Sequence, residues 1–329
     1  MKVGMPVLSM MIALASASAC RNAGSDADAA KARGLAHADQ GKYDLAILEY
    51  NSAIKMKPED ADAYNSRGNA FAAKHESDRA IQDYDTAIRL RPNSPFAYNN
   101  RGAVLATKDK FDRAIADFDQ AIKLKPDYAG ALNSRGFAYQ LKGDYAHAIQ
   151  DFSESIKLTP EAPAAYRNRA NAEFIVGRFA DAASDLERSL KFHQTSVNVQ
   201  PTKRLNETGA YTVVWLHVAK MRQGQDDTRE FAANSALVDS ASWPAPVIRF
   251  YEGKLTADRL VAGTANADPK EVKDQRCGAE FFAGQAALWR KQMAEARKRF
   301  EATREFCSER YTEHAAAAAE LARLGIAGR

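Results

Sequence analysis

A pattern that returns every 34 residues constrains the fold of this chain more than any other feature of its sequence. Each copy carries a glycine, an alanine, an aromatic residue and a proline in the same order. The four sets are Gly34, Gly68, Gly102 and Gly136; Ala46, Ala80, Ala114 and Ala148; Tyr50, Tyr84, Phe118 and Phe152; and Pro58, Pro92, Pro126 and Pro160. Independent landmarks in one register exclude coincidence, so the chain contains several copies of one structural unit.

The order of these landmarks resembles that of the tetratricopeptide repeat (TPR), a pair of antiparallel helices. One pair cannot bury its apolar face alone, so the resemblance implies that copies stack into a right-handed superhelix with a concave groove. The composition agrees, because 18 glycines and 11 prolines in 329 residues suit helices joined by short turns. We therefore predict an all-α TPR solenoid.

The interval also predicts where the regular repeats end. In the fifth repeat Ala170 replaces the glycine and Gln194 replaces the proline, but the helical pattern continues. Far downstream, Gly284, Ala296 and Phe300 keep the mutual offsets of the early landmarks and predict one more TPR-like hairpin. The predicted segments are a signal peptide over residues 1–20, a polar tether over 21–28, five repeats over 27–196, a linker over 197–207, a diverged helical region over 208–262, and the last hairpin with a capping helix over 270–329.

The first residues have the pattern of a secretory signal. Lys2 supplies a positive charge, residues 3–14 are apolar or small, and small residues precede Cys20. Two cleavage routes are open. An ordinary signal peptidase would use Ala17 and Ala19, whereas a lipoprotein peptidase would cut before Cys20 after its thiol has received a diacylglyceryl group. We expect the second route, and hence an exported, periplasmic chain that is attached to the membrane only through this lipid.

Cys277 and Cys307 remain as a pair once Cys20 is lipidated. They stand at the start of one predicted helix and the end of its antiparallel partner, so both lie at the same end of a hairpin. Export would place them in an oxidising compartment, where a disulfide is expected. The alternative is two buried thiols at a helix interface.

Asparagines recur where the first helix of each repeat faces the groove of a TPR array. Asparagine both donates and accepts hydrogen bonds, so a row of these amides can bind a peptide backbone without requiring one sequence. The alternative is that asparagine simply gives a soluble surface here. The predicted partner-binding groove consists of Asn65, Asn69, Asn99, Asn133, Phe137, Arg167 and Asn171.

Charge and motifs argue against several other classes of function. Lys and Arg number 46 against 42 Asp and Glu, a margin too small to indicate nucleic-acid binding. The six histidines lack metal-ligand spacing, and no nucleophile elbow, phosphate-binding glycine loop or Cys-x-x-Cys motif is present. We predict a non-enzymatic protein with no catalytic residues, no metal and no cofactor.

Further features extend the resemblance beyond the repeats. They are the lipoprotein-like signal, the Ala-Tyr-Asn-Ser-Arg-Gly and Ala-Tyr-Asn-Asn-Arg-Gly motifs, Trp243, and the segments 249–255, 279–284 and 311–314. Together they resemble the NlpI-like TPR lipoproteins of bacteria. That resemblance implies an outer-membrane-anchored adaptor, often homodimeric, for peptidoglycan hydrolases or a periplasmic protease. The predicted function is a protein-interaction scaffold of the cell envelope; the alternative is a structural subunit of a larger envelope or secretion assembly.

Overall fold

The computed structural model describes residues 25–198, 204–241, 243–269 and 271–325. The predicted signal peptide and Cys20 lie outside these ranges. The described chain consists of helices and their connections, which confirms the predicted all-α fold class.

Seventeen α-helices follow one another in the described residues. The only β-type pairing there is an isolated bridge between Leu205 and Val238. The helices are α1 (25–39), α2 (Tyr43–Met56), α3 (Ala61–Ala73), α4 (Ser77–Leu90), α5 (Pro95–Thr107), α6 (Phe111–Leu124), α7 (Ala129–Leu141), α8 (Tyr145–Leu158), α9 (Pro163–Ile175), α10 (Phe179–Asn198), α11 (Glu207–Arg222), α12 (Thr228–Ser235), α13 (Ala245–Tyr251), α14 (Ala257–Gly263), α15 (Val272–Trp289), α16 (Met293–Phe306) and α17 (Thr312–Arg323).

The chain divides into two compact units. The N-terminal unit ends at Ala138 and the C-terminal unit begins at Tyr139. In the N-terminal unit, α3 packs along α4 and α5 packs along α6. In the C-terminal unit, α9 pairs with α10 and α15 pairs with α16, while α11 packs against α10. Each unit is therefore built from the helical hairpins that the 34-residue interval predicts.

The repeated glycines allow the two helices of one hairpin to touch. A Cβ atom added to Gly68 would lie 2.7 Å from the ring of Tyr84, which is buried. The last hairpin repeats this contact, since a Cβ atom on Gly284 would lie 2.7 Å from the ring of Phe300. A methyl group cannot be accommodated at such distances without displacing the aromatic ring. The glycine and the aromatic residue of these hairpins thus form one packing contact.

A row of arginines, which the sequence analysis did not single out, ties consecutive helices of the array together. Arg101 donates from Nε and Nη2 to the buried carboxylate of Asp117 at 2.8 and 2.7 Å, and from Nη1 to Asp85 at 2.6 Å. One guanidinium group on α5 therefore binds both α6 and the preceding α4. Equivalent groups are Arg67 with Asp83 and Asn51, and Arg169 with Asp185 and Ser153.

The core of the C-terminal unit gathers around Trp215 of α11. Its ring lies 5.0 Å from that of Phe174, 5.1 Å from that of Phe281 and 5.6 Å from that of Phe282, measured between centroids. All four side chains are buried. Because these rings come from α9, α11 and α15, this cluster joins the fifth repeat to the diverged region and the last hairpin.

The predicted capping helix, α17, packs on α16 and also contacts α15 and α9. Its Glu320 has no exposed surface and pairs with Arg222 of α11 and, at 3.0 Å, with Arg323. Arg323 in turn donates from Nη2 to the carbonyl oxygen of Ile175 in α9, at 2.5 Å. The last helix therefore covers the final hairpin and also binds α9, which belongs to the first full hairpin of the same unit.

The helical array begins earlier than the sequence analysis predicts. Residues 21–28 are predicted to be a tether, but α1 starts at residue 25 and Ala27 has no exposed surface. Lys31 of the same helix donates to Asp60 at 2.7 Å. Buried contact of α1 with its repeat thus extends the helix into the polar segment.

The helix of the fifth repeat also continues into the predicted linker, 197–207. Helix α10 ends at Asn198, after 20 residues. The physical reason is that Gln194 stands where a proline ends the other repeats, so no missing N–H group interrupts the helix. Gln194 instead donates from Nε2 to Asn234 at 2.8 Å.

A disulfide joins Cys277 of α15 to Cys307, the residue that follows α16. Their Cα atoms are 4.9 Å apart, and both residues are buried. The bond closes the open end of the last hairpin, where the sequence analysis expects the two cysteines to meet.

Replacing both Cys277 and Cys307 with alanine is expected to lower the free energy of unfolding of the C-terminal unit by about 3 kcal/mol, because a closed loop of this length restricts the unfolded chain. Urea unfolding under non-reducing conditions measures the loss. A reductant should reproduce it in the wild-type chain and leave the variant unchanged. If the reductant leaves the wild-type curve in place, the pair are thiols in solution.

Candidate functional site

The predicted asparagines of α3 and α5 meet through a residue that the sequence analysis missed. Asn100 donates from Nδ2 to the side-chain oxygens of Asn65, at 3.2 Å, and of Asn69, at 2.9 Å. Asn99 donates from Nδ2 to Asn100 at 3.3 Å. We refer to Asn65, Asn69, Asn99 and Asn100 as the amide cluster. It joins the first helices of two consecutive repeats, and the signal for Asn100 was its place beside Asn99 in the motif Ala-Tyr-Asn-Asn-Arg-Gly.

The amide cluster leaves hydrogen-bonding groups unused. The side-chain oxygen of Asn69 accepts from Asn100 and also, at 2.8 Å, from the hydroxyl of the buried Tyr84, which fixes the orientation of this exposed amide. Its Nδ2 donates to no described residue. The side-chain oxygen of Asn99 is buried and accepts no hydrogen bond. Because Asn69 is exposed, the cluster offers the Nδ2 donor of Asn69 to an incoming carbonyl group, whereas the oxygen of Asn99 lies within the protein.

Two further predicted residues lie one turn apart on α7. Asn133 is half-buried, and Phe137 is 41% exposed. Residues four apart share one helix face, so the amide and the ring stand next to each other. Five of the seven predicted groove residues therefore belong to the N-terminal unit.

The other two predicted residues, Arg167 and Asn171, lie on α9 in the C-terminal unit. They line a cavity of about 200 Å³ together with Tyr211 and Trp215 of α11 and Glu313 of α17. They are therefore part of a pocket that α17 helps to form. The sequence analysis missed Glu313 as a site residue, since no local pattern places α17 beside α9.

Opposite charges without ion-pair partners face this cavity. Arg167 makes no ion pair with any described residue, and burial lowers the pKa of its guanidinium group. Glu313 has 9% of its surface exposed, and its carboxyl group is held by its own backbone N–H alone among the described contacts. Burial first, and the charge of Asp274 second, raise the pKa of Glu313 to about 7. Such unpaired groups in a cavity mark a candidate binding site.

Replacing Glu313 with glutamine is expected to flatten the dependence of stability on pH. The folded chain holds this proton up to about pH 7, whereas the ordinary pKa is 4.5. Unfolding therefore becomes easier as the pH rises from 4.5 towards 7, by about 3 kcal/mol in total. Urea unfolding at pH 5 and pH 8 should show a smaller fall for Glu313→Gln than for the wild-type chain. The exposed Glu309→Gln is the control, and equal falls in all three chains would contradict the prediction.

Among the described residues, no group of three or more His, Cys, Asp and Glu side chains is arranged to hold a metal ion. No helix in the described ranges is both long and apolar enough to cross a bilayer.

Comparison with protein families identifies the repeats. Residues 31–95, 95–128 and 129–162 match models of the tetratricopeptide repeat. The chain therefore carries TPRs, as its landmarks predict. Such repeats are generally protein-interaction scaffolds and are typically not enzymes. No curated protein matches the chain.

Solved structures show the same type of fold at low sequence identity. PilW, described as a widely conserved type IV pilus biogenesis factor, is 18% identical with a TM-score of 0.56; the match covers 66% of this chain and 94% of PilW. PilF of Pseudomonas aeruginosa is 20% identical with a TM-score of 0.49, over 64% of this chain and 99% of PilF. MamA is 23% identical with a TM-score of 0.45, over 50% and 96%. At these identities the likeness to PilW concerns the fold alone.

Proposed function

We propose that this chain is a non-enzymatic scaffold that binds an extended segment of a partner protein on its N-terminal unit. The observation that carries the proposal is the amide cluster, in which the exposed Asn69 keeps an unused Nδ2 donor while its oxygen is held by Tyr84 and Asn100. The C=O group of a peptide unit is the complement of this donor. Asn133 and the exposed ring of Phe137 would extend the contact to a partner side chain.

The cellular setting belongs to the same proposal. The first twenty residues have the pattern of a lipoprotein signal, and the late cysteines form a pair. Both features suit an exported chain that is anchored through Cys20 and works in the periplasm. The proposed partners are proteins of the cell envelope, such as peptidoglycan hydrolases or a periplasmic protease, with a second copy of this chain as a further partner.

Site-specific crosslinking in intact cells tests the proposal. A benzophenone amino acid placed at Phe137 should crosslink to a partner, and the adduct should be recovered from the envelope fraction. Leu48 of α2 is the control, because it is an exposed apolar residue of the N-terminal unit, at 60% exposure, and lies on a different helix from the amide cluster and Phe137. Several partners in small amounts would support a scaffold, whereas one stoichiometric complex would support a subunit of an assembly. Recovery from the cytosol would overturn the proposed export.

The double variant Asn69→Ala/Asn99→Ala is expected to weaken capture of the crosslinked partner about tenfold or more. Asn69→Ala removes one hydrogen bond of about 0.5–1.5 kcal/mol to the peptide, and Asn99→Ala removes the bond to Asn100 that helps to orient the cluster. Titration of the purified chain with a synthetic peptide from the crosslinked segment measures the change. Asn93→Ala, in the turn before α5, is the control and should bind as the wild type does. If the double variant binds the peptide with wild-type affinity, the partner does not bind at the amide cluster.

A further inference from the structure

The cavity between α9, α11 and α17 holds polar groups that the proposed scaffold function does not use. The guanidinium group of Arg167 and the amide of Asn171 line it from α9, and the carboxyl group of Glu313 lines it from α17. Arg167 and Asn171 make no hydrogen bond or ion pair with any described residue. Glu313 is more than nine-tenths buried and bonds to no other side chain. These polar groups have lost contact with water, and no described protein group replaces the hydrogen bonds that water would make.

The pattern of charge around the cavity restricts what can occupy it. One guanidinium group and one carboxyl group face it from opposite helices, and no ion pair joins them among the described residues. An anion alone would satisfy Arg167 but would stand in the same cavity as the carboxyl group of Glu313. A cation alone would meet the converse problem at Arg167. A molecule that carries one charge of each sign satisfies both groups at once.

We propose that this cavity binds a free amino acid or another small zwitterion, with its carboxylate on Arg167 and Asn171 and its ammonium group on Glu313. Arginine suits the first role because its fork of N–H donors matches the two oxygens of a carboxylate, and Asn171 adds a further donor. Glutamate suits the second role because its oxygens accept from the three N–H groups of an ammonium ion.

The volume of the cavity agrees with a ligand of this size. About 200 Å³ is available. At roughly 30 Å³ for each water molecule displaced, this corresponds to about seven non-hydrogen atoms. That is the size of one amino acid, and it lies below the range of about 300–1,000 Å³ that is usual for larger ligands. Trp215 and Tyr211 supply an apolar wall for a side chain.

A ligand in this position would connect two parts of the C-terminal unit. Arg167 and Asn171 belong to the first full hairpin of the unit, while Glu313 lies in the first turn of the last helix. Binding would add a bridge between α9 and α17 to the existing contact of Arg323 with Ile175. Occupancy should therefore slow hydrogen exchange in both helices, which gives a readout that is independent of partner capture.

Isothermal titration calorimetry of the full chain with a defined panel tests the proposal. The panel consists of alanine, leucine, β-alanine and γ-aminobutyrate, which differ in size and in the spacing of their charges. Butyrate and butylamine, which carry one charge each, are the ligand controls. At least one amino acid is expected to bind, to protect α9 and α17 from hydrogen exchange, and to bind at least tenfold more tightly than either control.

Variants locate the site. Arg167→Met and Glu313→Gln should each weaken binding of that amino acid at least tenfold, and neither leaves another side chain without its partner. Arg188→Met, on the exposed surface of α10, is the matched control and should bind normally. Circular dichroism verifies that each variant is folded. The proposal is overturned if no member of the panel binds, if butyrate binds as well as the amino acids, or if Arg167→Met retains full affinity.

Discussion

Replacing Arg222 with methionine is expected to destabilise the C-terminal unit by about 3 kcal/mol and to release α17. Arg222 is one of two cations that pair with Glu320, a carboxylate with no exposed surface. Without it, Glu320 keeps only Arg323 as a charged partner, and one of its oxygens already lacks a hydrogen bond. Methionine retains an apolar stem near the ring of Phe179, over which the guanidinium group lies. The loss of stability therefore reports the cost of leaving Glu320 with one fewer charged partner, rather than a loss of packing.

Hydrogen exchange resolved along the chain measures this effect, because a chain of two units does not have one unfolding midpoint. Exchange in α17 should accelerate about a hundredfold, as expected for a loss near 3 kcal/mol. The double variant Arg222→Met/Glu320→Gln should recover most of the protection, since it removes the unpaired charge. Arg229→Met, an exposed arginine of α12, serves as the control. Unchanged protection of α17 in Arg222→Met would show that the ion pair does not hold this helix.

The predicted features that the structure confirms depend on contacts within one hairpin. Gly68 and Tyr84 are 16 residues apart, and their contact recurs between Gly34 and Tyr50 and between Gly102 and Phe118. The last hairpin follows the same rule through Gly284 and Phe300. Short-range packing of this kind leaves a periodic pattern in the sequence. The fold class could therefore be predicted without any knowledge of distant contacts.

Contacts at long sequence separation left no such pattern. Arg323 reaches Ile175 across 148 residues, and this contact brings α17 to α9. As a result, Arg167 and Asn171 line a cavity with Glu313, whereas the periodicity alone placed them in a continuous groove with the asparagines. The sequence predicts that Arg167 and Asn171 contact a ligand, but it does not predict which helix faces them.

The amide cluster and the row of arginines are intermediate between contacts within one hairpin and contacts at long sequence separation. Asn100 contacts Asn69 at 31 residues and Asn65 at 35, which is about one repeat. Arg101 and Asp117 recur with the same interval as the glycines. Both features could be predicted by following polar residues through the repeats with the same care as apolar ones. The 34-residue interval does not predict side-chain rotamers, and these decide whether two amides bond to each other or to a partner.

Replacing Arg101 with methionine is expected to lower the free energy of unfolding of the N-terminal unit by about 3–5 kcal/mol. Its guanidinium group forms a bidentate pair with Asp117, a carboxylate in a residue that is 7% exposed, and a third bond with Asp85. These hydrogen bonds, first of all those of Asp117, raise the pKa of Arg101. Removing the cation leaves Asp117 as a buried charge without its partner, and it also disconnects α4 from α5.

Segment-resolved hydrogen exchange should show the loss in α4, α5 and α6. Arg101→Met/Asp117→Asn is expected to regain part of the stability, because the amide is cheaper to bury than the carboxylate. It should not regain all of it, since the bridge to Asp85 remains absent. The exposed Arg113→Met of α6 controls for the loss of one positive charge and should behave as the wild type does. If Arg101→Met lowers the free energy of unfolding by less than about 1 kcal/mol, the pair of Arg101 and Asp117 contributes no more than an ordinary surface ion pair. The row of arginines would then not be a source of the array's stability.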